Sequence, residues 1–216
     1  MEEPQIVELH FSLRGETLPA DHAYWLYAAV SQALPETHNA DWLGIHTIKG
    51  RKLGNGLIKL GRFARLRMRL SFTRVPSVWG LAGAKLNVGG HLIQCGIPEI
   101  RPLKAAKTLR SRFVMIKCKG SEGRSAEVTS FLDSLVRQLE SLGVSADVVL
   151  ERGGVARGED GFACRRVMSV KDAKLTGYGV ILDNLNEHDS LTIQEVGLGG
   201  KRRMGCGLFE PIGRGD

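Results

Sequence analysis

The sequence predicts an α+β fold of two tandem β-α-β-β-α-β modules, and three observations carry that reading. Each half opens on a strand-like run: Val7, Leu9, Phe11 and Leu13 alternate with Glu8, His10 and Ser12, and a second extended run covers 113–118. Each run is followed by a helix-like segment, near 21–34 and near 128–142. Further strands, a helix and a last strand then follow in both halves, the element order of a ferredoxin-like fold. The modules are expected at 1–100 and 101–216.

In the first module, Pro19 precedes the helix of 21–34 and Pro35 ends it. Residues 46–50 begin an extended region, and Gly54-Asn55-Gly56 marks a turn. Over 64–73, Leu66, Met68, Leu70 and Phe72 face one way and Arg65, Arg67 and Arg69 the other, the period of a strand. A short helix near 77–81 precedes a hairpin of 85–88 and 91–95 turning at Gly89-Gly90.

Residues 97–111 carry Pro98, Pro102, Lys104, Lys107 and Arg110 and read as a basic connection. In the second module, Val128, Phe131, Leu132, Leu135, Val136, Leu139 and Leu142 recur at helical spacing, and Gly143 stops the helix. Strands are expected near 146–150, 164–170 and 176–182. A helix near 188–196 leads into a glycine loop, and 207–211 forms the last strand.

At 216 residues, with 43% hydrophobic and 25% charged, the chain has the composition of a folded protein with a real core. Lys and Arg number 30 against 23 Asp and Glu, and the net charge of +7 favours a polyanionic partner. No stretch approaches the roughly 20 apolar residues of a membrane span, and the opening residues lack an apolar signal run, so the reading is a cytoplasmic protein with no membrane partner. Cys95, Cys118, Cys164 and Cys206 stand singly, which suits reduced thiols. No Asp, Glu, His or Cys cluster has metal-ligand spacing, and neither metal nor cofactor is expected.

The most informative segment is Gly197-Leu198-Gly199-Gly200-Lys201-Arg202-Arg203-Met204-Gly205-Cys206-Gly207. Two Gly-hydrophobe-Gly pairs flank a tribasic turn. Glycine admits positive φ and close backbone approach, so its N–H groups can line up on an anion, with Lys201, Arg202 and Arg203 adding charge. The expectation is a phosphate-holding loop between a helix and a strand.

This segment matches the G-h-G-x5-G-h-G signature of the RAMP superfamily, with Gly197, Gly199, Gly205 and Gly207 in place. In element order the whole chain is similar to that superfamily's CRISPR-repeat endoribonucleases; in sequence only short segments are. The resemblance implies tandem ferredoxin-like (RAMP/RRM-like) modules and a prokaryotic protein whose partners are CRISPR repeat RNA and the crRNA cut from it, with other effector-complex subunits beyond. It also implies metal-independent cleavage by 2′-hydroxyl attack. A second match, His46-Thr47-Ile48-Lys49-Gly50-Arg51-Lys52-Leu53, resembles the H-x-x-K-G-x-K-L segment of members whose catalytic trio is Tyr, His and Lys. By that likeness His46 and Lys52 are catalytic, while the tyrosine's position holds Ser31. The rival class is a non-catalytic RAMP-superfamily subunit that binds guide RNA in an effector complex.

His38, in the connection after the first helix, is the second candidate for proton transfer. His22 shares its helix face with Leu26, Ala29 and Ala33 and reads as a core residue. His10, His91 and His188 read as surface or capping residues. Tyr24, Tyr27 and Ser31 share the opposite helix face, where Tyr27 and Ser31 would meet RNA and a tyrosine could supply the missing hydroxyl; the alternative is that the tyrosines cover the junction of the modules. Arg65, Arg67 and Arg69 suit successive phosphates, or else pair with acids of the neighbouring module.

Overall fold

The computed structural model describes residues 5–116, 124–152, 163, 165–171 and 173–212. The chain divides into two units. The first runs to Leu103 and takes in Met168–Ala173 and Arg202–Gly205; the rest makes the second.

The first unit contains β1 (Ile6–Arg14), β2 (Thr17–Pro19), α1 (Ala23–Ala33), β3 (Gly44–Ile45), β4 (Arg51–Lys52), β5 (Leu57–Lys59), β6 (Arg65–Ser71), α2 (Val75–Val78), β7 (Lys85–Val88) and β8 (His91–Pro102). Its main sheet is antiparallel, in the order β3-β6-β1-β8-β7. Without the edge strand β7 this is the 4-1-3-2 order of a ferredoxin-like module. Alternation along β1 and β6 buries Val7, Leu9, Phe11, Leu66, Met68 and Leu70, in one core with Leu26 and Val30 of α1. On the other face Glu8, His10 and Ser12 stand across from Arg69, Arg67 and Arg65.

Two features depart from the sequence reading. Residues 97–102, expected as a connection, prolong β8 along β1, with Pro98 opposite Phe11 and Pro102 opposite Val7. Proline is tolerated here because β7 covers only residues 91–94 of β8, and a proline facing the uncovered edge withholds no ladder hydrogen bond. The second feature is a small sheet, β2-β5-β4, whose strands of two or three residues are too short to show a period.

The second unit holds β9 (Leu109–Val114), α3 (Arg124–Ser141), β10 (Asp147–Leu150), β11 (Arg165–Val170), β12 (Ala173–Asp183), α4 (Glu187–Val196) and β13 (Glu210–Pro211), β11 being shared with the first. The order β10-β12-β9-β13, with β11 beside β12, is again ferredoxin-like. β9 starts earlier than expected because Arg110 and Arg112 alternate with buried Leu109 and Ser111, and the polar Ser111 hides the apolar period. Lys117, Cys118 and Cys164 lie outside the described residues. Phe131, Leu135 and Leu139 of α3 share the core with Tyr178, Val180, Leu182, Ile193 and Phe209, and the Phe131 and Tyr178 rings meet at 4.8 Å. Asn186 caps α4 by accepting the Asp189 N–H at 2.8 Å. Among the described residues no helix is long and apolar enough to cross a membrane.

Candidate active site and nucleic-acid interface

The first unit gathers Tyr27, His38 and Arg203. Tyr27 does not project from an open helix face as expected; it is buried, because α1 turns Leu26, Tyr27 and Val30 inward together. Its hydroxyl accepts the Asn39 N–H at 3.1 Å and stands 3.4 Å from His38 Nδ1. Asn39 adopts φ +59°, a conformation that asparagine tolerates better than most residues, between His38 and Ala40. The exposed His38 ring lies nearly parallel to Tyr27, at 17° and 6.1 Å between centroids. The Arg203 guanidinium lies 5.6 Å from the Tyr27 ring centre and donates to the Ala40 carbonyl at 3.2 Å. An accessible imidazole, held by a buried phenol, thus shares its support with a fixed positive charge.

His46 lies in a different environment. It continues the β3–β6 pairing through its N–H to the Arg67 carbonyl, at 2.9 Å, and its ring is 5% exposed. Nε2 is 3.0 Å from Glu8 Oε1, a short polar contact in which the ring N–H is poorly aligned on that oxygen. Glu8 Oε1 also accepts from Arg69 Nε and Nη2, at 3.1 and 2.5 Å. Its Oε2 lies 2.9 Å from His10 Nε2 and 4.0 Å from Arg67 Nη1. Burial lowers the pKa of His46 to about 4; Glu8 pulls it back up, and Arg67 and Arg69 add to the depression. His46 is therefore neutral near pH 7. Burial resists the ionisation of Glu8, but His10, His46 and Arg69 outweigh it and hold the carboxyl far below the usual range.

This cluster revises three expectations. Arg69, 1% exposed, is spent on Glu8 and is no open phosphate ligand, while Arg65 and Arg67 remain half-buried on that face. The acid that pairs with it comes from the neighbouring strand, not from the other module. His10 is a member of the network rather than a surface residue. The pairing was available in principle from the register of β1 on β6, which a single sequence does not reveal.

Lys52, on β4, is exposed, and among the described residues no hydrogen bond or ion pair joins it to His46. Ser31 lies with its hydroxyl 3.4 Å from that of Thr37. His22 is the core histidine expected: Nδ1 donates to the Pro19 carbonyl at 2.8 Å, and Nε2 accepts the Ile48 N–H at 2.9 Å. It thereby ties the start of α1 to the segment that leads into Lys52.

The glycine loop has the backbone expected but another use for it. Gly197, Gly199, Gly205 and Gly207 have φ between +65° and +75°. Their N–H groups go to the Ile193 carbonyl, Gln138 Oε1, the Arg202 carbonyl and the Phe113 carbonyl, at 2.9, 2.8, 3.0 and 2.7 Å. They are spent inside the protein, which corrects the expected anion cradle of glycine N–H groups. A Cβ at Gly207 would run into the Leu198 carbonyl, and one at Gly199 into that of Met115, so these glycines allow close packing of the loop. Lys201 is exposed at φ +66°. Arg202 is half-buried, and burial together with the Arg69 charge lowers its pKa. The link between Arg203 and Tyr27 had no signal in the sequence, since the two are joined only by tertiary folding.

Comparison with known proteins places these features in context. The family model described as Cas6 Crispr matches residues 7–214. The CRISPR-associated endonuclease Cas6 of Myxococcus xanthus (strain DK1622) is 32% identical over 208 residues, covering 96% of this chain and 82% of that protein. Among solved structures, a Cas6-related protein from Pyrococcus furiosus superposes with a TM-score of 0.66 at 13% identity, covering 98% of this chain and 100% of that one. A RAMP protein described as binding different RNA substrates gives 0.64 at 13% identity, with 96% and 100% covered. At these identities the structural likeness speaks for the fold.

Proposed function

The chain belongs to the Cas6 family, and from that premise we propose that it is an endoribonuclease that cuts CRISPR repeat RNA to release guide RNA. The observation that carries the chemistry is the exposed His38 backed by Tyr27 and Arg203. RNA brings its own nucleophile: the 2′-oxygen bonds to the adjacent phosphorus as the bond to the 5′-oxygen breaks. One proton must leave the 2′-hydroxyl and one must reach the departing 5′-oxygen, giving a 2′,3′-cyclic phosphate and a 5′-hydroxyl. Histidine suits such transfers, and His38 is an exposed histidine whose support, Tyr27, also holds a fixed positive charge. Arg203 supplies positive charge for the phosphorane. The mechanism calls for no metal-activated water, because the nucleophile belongs to the substrate.

In this reading His46 and Lys52, implied by the family segment, have other work. His46 positions strands from within the Glu8 network, and Lys52 binds phosphate. Arg65 and Arg67 add charge on the open sheet face, and the guide RNA passes to other effector-complex subunits.

The test is incubation of the purified protein with repeat RNA and sequencing of the products. One cut at a fixed position in each repeat is expected; RNA bound tightly and never cut would mark a guide-binding subunit instead. Replacing Lys201, Arg202 and Arg203 together by alanine should weaken repeat binding. For every phosphate that these cations no longer neutralise, the slope of log K against log salt should fall by about 0.7–0.9, read by filter binding across salt. An unchanged slope and affinity would make the loop purely architectural.

A further inference from the structure

The small sheet β2-β5-β4 flanks an open recess of about 690 Å³, lined by Lys49, Gly50, Arg51, Lys59, Gly61 and Phe63 among others, with no acidic residue in its wall. Phe63 is 73% exposed, and the Arg62 guanidinium lies 4.6 Å from its ring centre. Phe63 thus presents an aromatic face at the rim of a basic recess, where a flat ligand group can stack on it. The floor is closely packed: a Cβ at Gly50 would come within 2.8 Å of the Lys59 carbonyl, so the chain here lies tightly on β5.

An aromatic face bordered by cations is what an unpaired nucleotide needs, with its base stacked on the ring and its phosphates on the cations. A duplex does not fit as well, since its bases are already stacked on one another. We propose that this recess is a subsite for one unpaired nucleotide of the RNA, its base on Phe63 and its flanking phosphates on Arg51, Lys59 and Lys49. The inference rests on the RNA reading above and adds to it a place for single-stranded sequence next to the repeat's structured part.

The test compares two RNAs on the full chain: the repeat with its unpaired flanks, and the same repeat trimmed to its paired core. Phe63→Ala should weaken binding of the flanked RNA by about five- to 150-fold, the worth of one stacked base, and leave the trimmed RNA unaffected. Phe63→Trp, which keeps a stacking face, should retain affinity for the flanked RNA. Because Phe63 is exposed, both variants should fold, which circular dichroism checks. Equal affinities of the Phe63→Ala and unsubstituted proteins for the flanked RNA, or an equal loss on both RNAs, would overturn the subsite alone. Failure of the unsubstituted protein to bind either RNA would overturn the RNA reading and the subsite with it.

Discussion

His38→Ala slows cleavage of repeat RNA by about 10²–10⁴-fold, the usual worth of a positioned proton carrier, and leaves repeat binding within a few-fold. The expectation comes from access. His38 is exposed and held against Tyr27, whereas His46 is sealed beside Glu8 and Arg69. Tyr27→Phe should give a smaller loss, because it removes the hydroxyl near Nδ1 and keeps the ring. His46→Gln should cut within about tenfold of the parent at a temperature where it is folded, since its role in this account is structural. Single-turnover rates measured beside affinities separate the steps. Normal cutting by His38→Ala, with collapse in a folded His46→Gln, would return the chemistry to the H-x-x-K-G-x-K-L segment.

Glu8→Gln should destabilise the protein by about 3–5 kcal/mol, because it leaves the Arg69 guanidinium buried without its carboxylate. In thermal unfolding that is a fall of roughly 6–20 °C. Pairing the change with Arg69→Met should recover part of the loss, since the uncompensated charge goes too. The same cluster sets a pH dependence. The His46 side chain titrates near 6.5 when unfolded and at about 4 when folded, so between those values the unfolded chain holds the extra proton. Stability therefore falls as the pH is lowered from about 6.5 to about 4, by about 3 kcal/mol from this group. Glu8, depressed in the folded state, adds a loss that begins as the pH falls through the ordinary carboxylate range and continues below it. Melting His46→Asn alongside the parent from pH 7.5 to 4.5 should give the variant the shallower profile; parallel profiles would remove His46 from this role.

Much of the fold was legible because its long elements carry clean periods. β1 and β6 alternate, α3 shows its apolar stripe, and the Gly89-Gly90 turn sits where the hairpin turns. What escaped were facts that belong to tertiary partners. Alternation told that Arg65, Arg67 and Arg69 share a face but not that Glu8 stands across from Arg69. The glycine pattern located the loop and its positive φ values, yet the destinations of the Gly199 and Gly207 N–H groups are Gln138 and Phe113, far away in the chain. Helical spacing placed Tyr27 on the polar side of α1, whereas its partners Asn39 and Arg203 come from outside the helix. His22 was read correctly because a lone histidine in an apolar stripe needs only two backbone partners, and it has them.

The central claim is that this protein cuts repeat RNA with the substrate's own 2′-hydroxyl, and one measurement reaches it directly. Two repeat RNAs, one all-ribose and one with a single 2′-deoxy nucleotide just 5′ of the cut, are incubated with the protein in excess chelator. The account predicts that the ribose RNA is cut to a 2′,3′-cyclic phosphate and a 5′-hydroxyl, while the deoxy RNA is bound and stays whole. Cleavage of the deoxy RNA, or loss of all cleavage in chelator with recovery on adding a divalent metal, would contradict it and point to attack by water.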